Sequence, residues 1–346
     1  MLSPAFHSSI IQNYMTSFNK QAEVNFLLKI YKDETFDLLP YLRRFGLDVI
    51  TETTLGVSLN AQKGENEDCY EAVAGSLELS FKSARYPWLR IKPIWHLLGY
   101  AKMMDKYTKI TNVKKTFQVV KERKKEYEKI AADKKARKSF LDLLLSLQEE
   151  YNLSDEDVCD ETSTVLIAGH DTTSANVGFT LFVLGNKKEE QDKVYEEVKS
   201  VFGKITNQRE VTNQDLEKLV HLDRCVKEIT RLYPPIIMFA RRITEDVKVG
   251  IANLKLLRKI FNPDNFSEEN CAKRDTFAYI PFSAGIRSCV GKPIALLERK
   301  VALIYLLRRY EFHSMLTEEQ NRQVAEISLK PSRGFPMRIT RRKKTD

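Results

Sequence analysis

Ser154 and Asp157 open the longest helical pattern in the chain, and that pattern limits what the other residues can build. A hydroxyl at the cap and a carboxylate three residues on satisfy two orphan amides reciprocally, which marks a helix start. Gly185-Asn186 can close the same helix far downstream. A long helix needs other elements packed along it, and the flanking sequence is of the same helical kind. The 346 residues include only 13 glycines and 11 prolines, and period-3.6 patterns outnumber period-2 ones.

Apolar positions Leu38, Leu39, Leu42, Phe45, Leu47, Val49 and Ile50 predict a largely buried helix within Phe36 to Val57. A charged helix is expected from Val113 to Lys138, its run Lys121 to Glu128 forming a solvated face with i,i+4 pairs. Gln191, Val194, Val198 and Val201 line a helix that stops at Gly203. Thr212 with Asp215 is a second capping box, and the helix carrying Glu228 and Arg231 must stop before Pro234-Pro235. Phe239 to Val249 reads as extended. Ala295 to Arg309 reads as a late helix with Leu296, Val301, Ile304 and Leu307 inward.

With 42% hydrophobic and 30% charged residues the chain is globular, neither disordered nor fibrous. Fifty-six Lys and Arg against 47 Asp and Glu leave a moderate net charge of +9. Five scattered cysteines without a CxxC pair argue against a disulfide framework and for a reducing compartment. Thr172 to Asn186, an uncharged stretch, is too short and polar to span a bilayer. Met1 to His7 has neither a basic nor an apolar signal-peptide region, so the chain as written reads as soluble.

Pro281 to Pro293 carries the most informative chemistry. Cys289 sits in a tight loop just ahead of a helix, with Gly285 for a sharp turn and Gly291 for close approach by something flat. A thiolate there would meet backbone N–H groups and the positive end of a helix, with the cation of Arg287 two residues away. Taken alone, a cysteine near a helix start is ordinarily a small hydrophobe. The full pattern Phe282-x-x-Gly285-x-Arg287-x-Cys289-x-Gly291, however, resembles the haem-binding loop of the cytochrome P-450 superfamily at all five anchor positions. An anionic thiolate on haem iron favours O–O cleavage.

Ala168-Gly169-His170-Asp171-Thr172-Thr173, mid-way along the long helix, is similar to the acid–alcohol motif of that superfamily. The resemblance implies that Gly169 leaves room for a diatomic ligand and that Asp171 and Thr172 relay protons. An Asp-Thr-Thr run by itself would be ordinary polar filler. Glu228-Ile-Thr-Arg231 and the exit Leu232-Tyr-Pro-Pro235 resemble a family Glu-x-x-Arg helix whose ion pair is buried and structural. Arg241 matches a position that binds a haem propionate, a role suited to a guanidinium. Leu2 to His7, Leu47 to Ile50 with Gly56-Val57, and Gly169 to Thr173 look most like the arthropod family-four enzymes.

The implied fold is mainly α with small β-sheets, a single cytochrome P-450-like haem domain over residues 1–346. Residues 1–150 would supply distal, substrate-side helices, and 151–346 the oxygen-binding helix, the Glu-x-x-Arg helix and the cysteine loop. Against the family pattern the chain starts where a third major helix is ending, so an N-terminal sheet, early helices and a membrane anchor are expected to be missing. A second gap is expected between Gly250 and Phe261, and Asn265 stands where an Arg often completes the ion-pair triad. Ala168 replaces a Glu that in many family-four members esterifies haem, so the haem here should be non-covalent.

The resemblance implies a haem-thiolate monooxygenase inserting one oxygen atom of O2 into an apolar, fatty-acid-like or xenobiotic-like substrate. Cys289 would be the axial ligand, Arg241 and Arg287 the propionate partners, and NADPH-cytochrome P-450 reductase the electron donor, with cytochrome b5 as a second one. Lys292, Arg299 and Lys300 offer a basic face to such a partner. No nucleic acid is expected. Relatives lie on the cytosolic face of the endoplasmic reticulum, and Tyr86 to Leu89 with Trp95 are either lipid-touching or core. The competing reading is a catalytically incompetent fragment with poor or no haem binding. A metal phosphohydrolase built on His170-Asp171 finds no support, because His7, His96, His221 and His313 lack matching spacing.

Overall fold

The computed structural model describes residues 8–23, 34–111, 117–132, 139–203, 209–240, 242, 260–326 and 328–342. Its axis is helix α8, Asp155–Asn186, whose 32 residues extend roughly 48 Å. The start is the expected capping box. Ser154 Oγ accepts from the Asp157 amide at 3.1 Å, and the Asp157 carboxylate accepts from the Ser154 amide at 2.8 Å. Among the described residues seven α-helices precede it: α1 (Ser8–Glu23), α2 (Leu39–Thr54), α3 (Glu67–Arg85), α4 (Lys92–Leu97), α5 (Tyr100–Thr108), α6 (Phe117–Ala132) and α7 (Phe140–Leu147). Five follow: α9 (Lys188–Phe202), α10 (Asn213–Lys218), α11 (Val220–Leu232), α12 (Glu268–Ala272) and α13 (Lys292–Arg309).

Most expected helices are found, with shifted ends. Phe36 and Asp37 leave the expected helix and form strand β1, because the Asp37 carboxylate accepts from the Leu39 and Phe335 amides at 3.0 and 2.7 Å. The charged run lies on α6 as expected, but it is not solvated throughout. Arg123 turns inward and clamps Asp142 of α7 through two bonds of 2.7 and 2.8 Å. The Thr212 box opens only the short α10. The chain breaks at Leu219 before α11, which ends at Leu232 ahead of the proline pair.

The sheets are small. β1 and β2 (Tyr310–Ser314) flank β5 (Pro336–Arg341) antiparallel, and β3 (Gln323–Ala325) pairs with β4 (Leu329–Pro331). Phe312 opposite Ile339 and Phe36 opposite Met337 set the register of the larger sheet. The expected extended stretch 239–249 lies outside the described residues except for Phe239, Ala240 and Arg242, and so does the suspected gap between 250 and 260.

From Thr173 to Leu184 α8 is buried on all sides, its polar residues Ser174, Asn176 and Thr180 hydrogen-bonded among the apolar ones. The Phe335 ring lies against Phe179 and Phe182, with centroids 5.0 and 5.9 Å apart. A Cβ at Gly178 would fall 2.2 Å from that fully buried ring. Gly178→Ala is therefore expected to lower unfolding free energy by about 1–3 kcal/mol in urea titrations. An unchanged midpoint would show that the Phe335 ring has room to move.

Candidate functional site

Two consecutive tight turns shape the cysteine loop. Ser283 N donates to Ile280 O at 2.9 Å, Ser288 N to Gly285 O at 3.0 Å, and Cys289 N closes the loop on Phe282 O at 2.9 Å. Gly285 has φ +77° with open space around it, so backbone conformation, rather than crowding, requires glycine there. Gly291, just ahead of α13, presents a face where a Cβ would approach the Cys289 sulfur to 3.9 Å. Cys289, Arg287 and Val290 are exposed, as is Ile286. The amides of Val290 and Gly291 have no backbone acceptor among the described residues.

The motif on α8 is divided between two faces. Gly169, His170 and Ser174 press against α2. A Cβ on Gly169 would strike Ile50 at 2.5 Å, and one on Gly46 would strike the His170 carbonyl oxygen at 2.8 Å. Gly169 thus makes room for Ile50 of α2, a packing role in place of the expected space for a diatomic ligand. Thr164, Ala168 and Thr172 lie one turn apart on another face, the first two exposed and the third half-buried. The Thr172 hydroxyl donates to the Ala168 carbonyl at 2.8 Å, and α8 stays α-helical through this stretch.

Asp171 points into the protein. The Arg43 guanidinium of α2 lies 2.8 Å from its carboxylate, and Ser328 donates to the other oxygen. Burial alone would raise this carboxyl, but Arg43, with His170, Lys330 and Ser328, outweighs it and holds the pKa near 2. His170 is fully buried, with both ring nitrogens lacking a partner among the described residues, and burial pushes it down to about 4. It is a neutral ring of the interior.

A polar cluster links the loop to the helices. Arg299 of α13 is buried, contacting Asn176 at 3.4 Å and Thr230 at 3.3 Å, with its guanidinium 6.0 Å from the Phe282 ring. Asn176 donates in turn to Thr230 at 2.9 Å. One turn on, Glu228 and Arg231 form a bidentate pair of 2.7 and 2.8 Å, with Glu228 fully buried. Asn265 donates to the same carboxylate at 3.0 Å, as does the Asn262 amide at 2.9 Å. Asn265 thus supplies a neutral donor where the family pattern often has a third charge. A cleft of about 380 Å³ beside this network is walled by Arg231, Asn262, Asn265, Arg274 and Tyr279, among others; with no thiol in its lining it is not the candidate site.

The cytochrome P450 family model matches residues 1–255 and 259–337. The chain belongs to the cytochrome P450 family. It is 34% identical to cytochrome P450 4V2 of Mus musculus, with 100% of this chain and 72% of that protein covered. It is also 34% identical to cytochrome P450 4c3 of Drosophila melanogaster, covering 99% and 71%. The alignment with the mouse protein runs over 381 positions for a chain of 346 residues, so it spans residues of the relative without counterparts here. The crystal structure of cytochrome P450 CYP102L1 superposes with TM-score 0.80 at 18% identity, covering 99% of this chain and 77% of that one. The cytochrome P450DA heme domain does so with TM-score 0.81 at 20% identity, covering 99% and 76%.

Cytochrome P450s are haem-thiolate monooxygenases that draw electrons from redox partners, and the residues present fit a haem. The donor set is one exposed thiol beside an arginine, and Ile286, Val290 and Phe239 are apolar side chains left uncovered. Of the other expected site residues, Phe282 is half-buried under Arg299, while Arg241 lies outside the described residues. The expected basic docking face shrinks to Lys292. Arg299 is buried, and Lys300 pairs with Asp223 at 2.5 Å. Glu298 was missed by sequence reasoning. It is fully buried with one oxygen unpartnered, and burial pushes its pKa up to about 8. No local signal marked it, because a Glu-Arg-Lys run ordinarily marks a surface.

Two outcomes follow from these charges. Arg43→Met strands a buried carboxylate and should cost about 3–5 kcal/mol at pH 7. Because the Asp171 pKa is depressed, the pair stabilises above pH 4 and its contribution is lost as pH falls towards 2. The deficit should therefore vanish in urea titrations repeated near pH 2. Glu298 has a raised pKa, so its burden is absent below pH 4.5 and grows as pH rises towards 8. Glu298→Gln should raise stability by up to roughly 3 kcal/mol at pH 7 and leave pH 4 unchanged.

Proposed function

We propose that this chain inserts one oxygen atom of O2 into an apolar, fatty-acid-like substrate, with Cys289 as the axial thiolate of a non-covalently held haem. The observation carrying this reading is the exposed Cys289 thiol on a loop closed by its own amide on Phe282 O, just ahead of α13. Bound haem supplies the one-electron iron chemistry that activates O2. The chain's own residues hold and supply it with protons. Gly291 and the start of α13 lie beside the sulfur. Arg287 and Arg241 pair with propionates.

Thr172 offers a hydroxyl on the open face of α8, anchored on the Ala168 carbonyl. Asp171 is ionised and held by Arg43 and Ser328; on turning away from the arginine it would take a proton from solvent and pass it to Thr172. Electrons come from NADPH-cytochrome P-450 reductase, with cytochrome b5 as a second donor, and exposed Lys292 lies on the approach.

No helix among the described residues is long and apolar enough to cross a membrane. Trp88, Ile91, Leu97 and Leu98 are nevertheless exposed, with Leu97 at 86%, which supports contact with the cytosolic face of the endoplasmic reticulum membrane.

The test is a reduced carbon-monoxide difference spectrum of the full chain expressed with haem precursor. A strongly red-shifted, thiolate-type Soret band that is lost in Cys289→Ala is expected. Acid–solvent extraction should remove all of the haem, since Ala168 cannot form an ester. A thiolate-type band persisting in Cys289→Ala overturns the ligand. No band at all favours the competing reading, a fragment that does not hold haem.

A further inference from the structure

On α11, ahead of its ion pair, a thiol, an imidazole and a carboxylate from α9 meet outside the haem site. Cys225 Sγ lies 3.6 Å from His221 Nε2, and the same nitrogen lies 3.0 Å from Glu190 Oε2. All three ligand atoms fall within 4.8 Å of one another, the one such group of three or more among the described residues. We propose that Glu190, His221 and Cys225 bind a zinc ion that clamps α9 to α11.

The geometry suits that ion. Zinc bonds of about 2.3 Å to sulfur and about 2.0 Å to nitrogen, at a tetrahedral angle, hold the two atoms about 3.5 Å apart. His221 and Cys225 are one turn apart on α11, so one helical face delivers both, and α9 brings the carboxylate. One thiolate, one carboxylate and a neutral imidazole cancel the charge of Zn2+, which removes the cost of an unbalanced ion at a buried sulfur. The thiol proton leaves to solvent as the zinc–sulfur bond forms. The imidazole takes the tautomer with Nε2 unprotonated, and water fills the fourth position.

The surrounding groups hold these ligands in place. Lys193 sits on the other Glu190 oxygen at 2.7 Å, so Oε2 stays directed at the site. The Glu197 carboxylate accepts from the His221 and Leu222 amides at 2.7 and 2.9 Å and fixes the first turn of α11. Cys225 is fully buried, whereas the Glu190 and His221 side chains are 21% and 25% exposed and leave an entry path. Burial first, with Glu190 and Glu197 nearby, pushes the Cys225 thiol far up, so without metal it is a protonated core group. Glu228, three residues on, belongs to the buried ion pair, so the ion would brace the helix that carries it.

The test is zinc content after dialysis, together with competition against a chromophoric zinc chelator, on the full chain. One zinc per chain is expected, and its removal should lower the melting temperature. His221→Ala and Glu190→Gln, both at half-exposed positions, should each weaken zinc binding at least tenfold while zinc-free melting stays unchanged. X-ray absorption should show one sulfur at about 2.3 Å with nitrogen and oxygen near 2.0 Å. Cys271→Ala, which removes an exposed cysteine elsewhere, should leave binding intact. Absence of zinc at micromolar concentration, unchanged affinity in both ligand variants, or loss in Cys271→Ala would each overturn the assignment.

Discussion

The close approach of α2 to α8 is the contact on which the rest of the structure depends. Gly46 and Gly169 remove side chains from both sides of that contact. The Ser174 hydroxyl then lies between the carbonyls of Leu42 and His170, at 2.9 and 2.6 Å. Arg43 and Asp171 seal the contact with a buried ion pair. Once these residues are committed to α2, the face carrying Thr164, Ala168 and Thr172 is the one left open. The helix thus divides one short motif into a packing face and a chemical face, and the division follows from the 3.6-residue period.

The second half of the site depends on Arg299. Its guanidinium joins α13 to Asn176 of α8 and Thr230 of α11, and it overlies Phe282 at the start of the cysteine loop. A buried cation held through Nη1 by an amide and a hydroxyl oxygen ties three helices to one register. The loop itself holds its shape through its own turns, so Cys289 can stay exposed on a rigid support. The neighbouring carboxylate of Glu298 has no such compensation. Glu298 and Arg299, adjacent on α13, each keep one buried polar atom, Oε1 and Nε, without a hydrogen-bond partner among the described residues.

Much of this could be read in the chain beforehand. The boxes at Ser154 and Thr212, the stop at Gly203 and the proline pair mark helix ends by local chemistry, and local chemistry survives folding. The cysteine loop was visible because its glycines and arginine are needed by backbone geometry and charge within ten residues. Other features were hidden, since their partners come from far away in sequence. Gly169 looked like space for a ligand because nothing in its neighbourhood names Ile50. Lys300 looked like a docking charge because Asp223 is 77 positions away. His221 was set aside because its spacing does not match a site built on His170-Asp171, yet Cys225 lies one turn from it and Glu190 joins them from another helix.

Family, cofactor class and the positions of the long helices are properties of short stretches of sequence, where capping, turn geometry and spacing act within a few residues. Which face of α8 stays open, which cations are buried, and where Glu190 meets His221 and Cys225 are properties of helices packed side by side. Those outcomes depend on contacts across tens to hundreds of residues. They exist only after close packing chooses one neighbour for each face, because burial and pairing are set by distance in space, not by order along the chain.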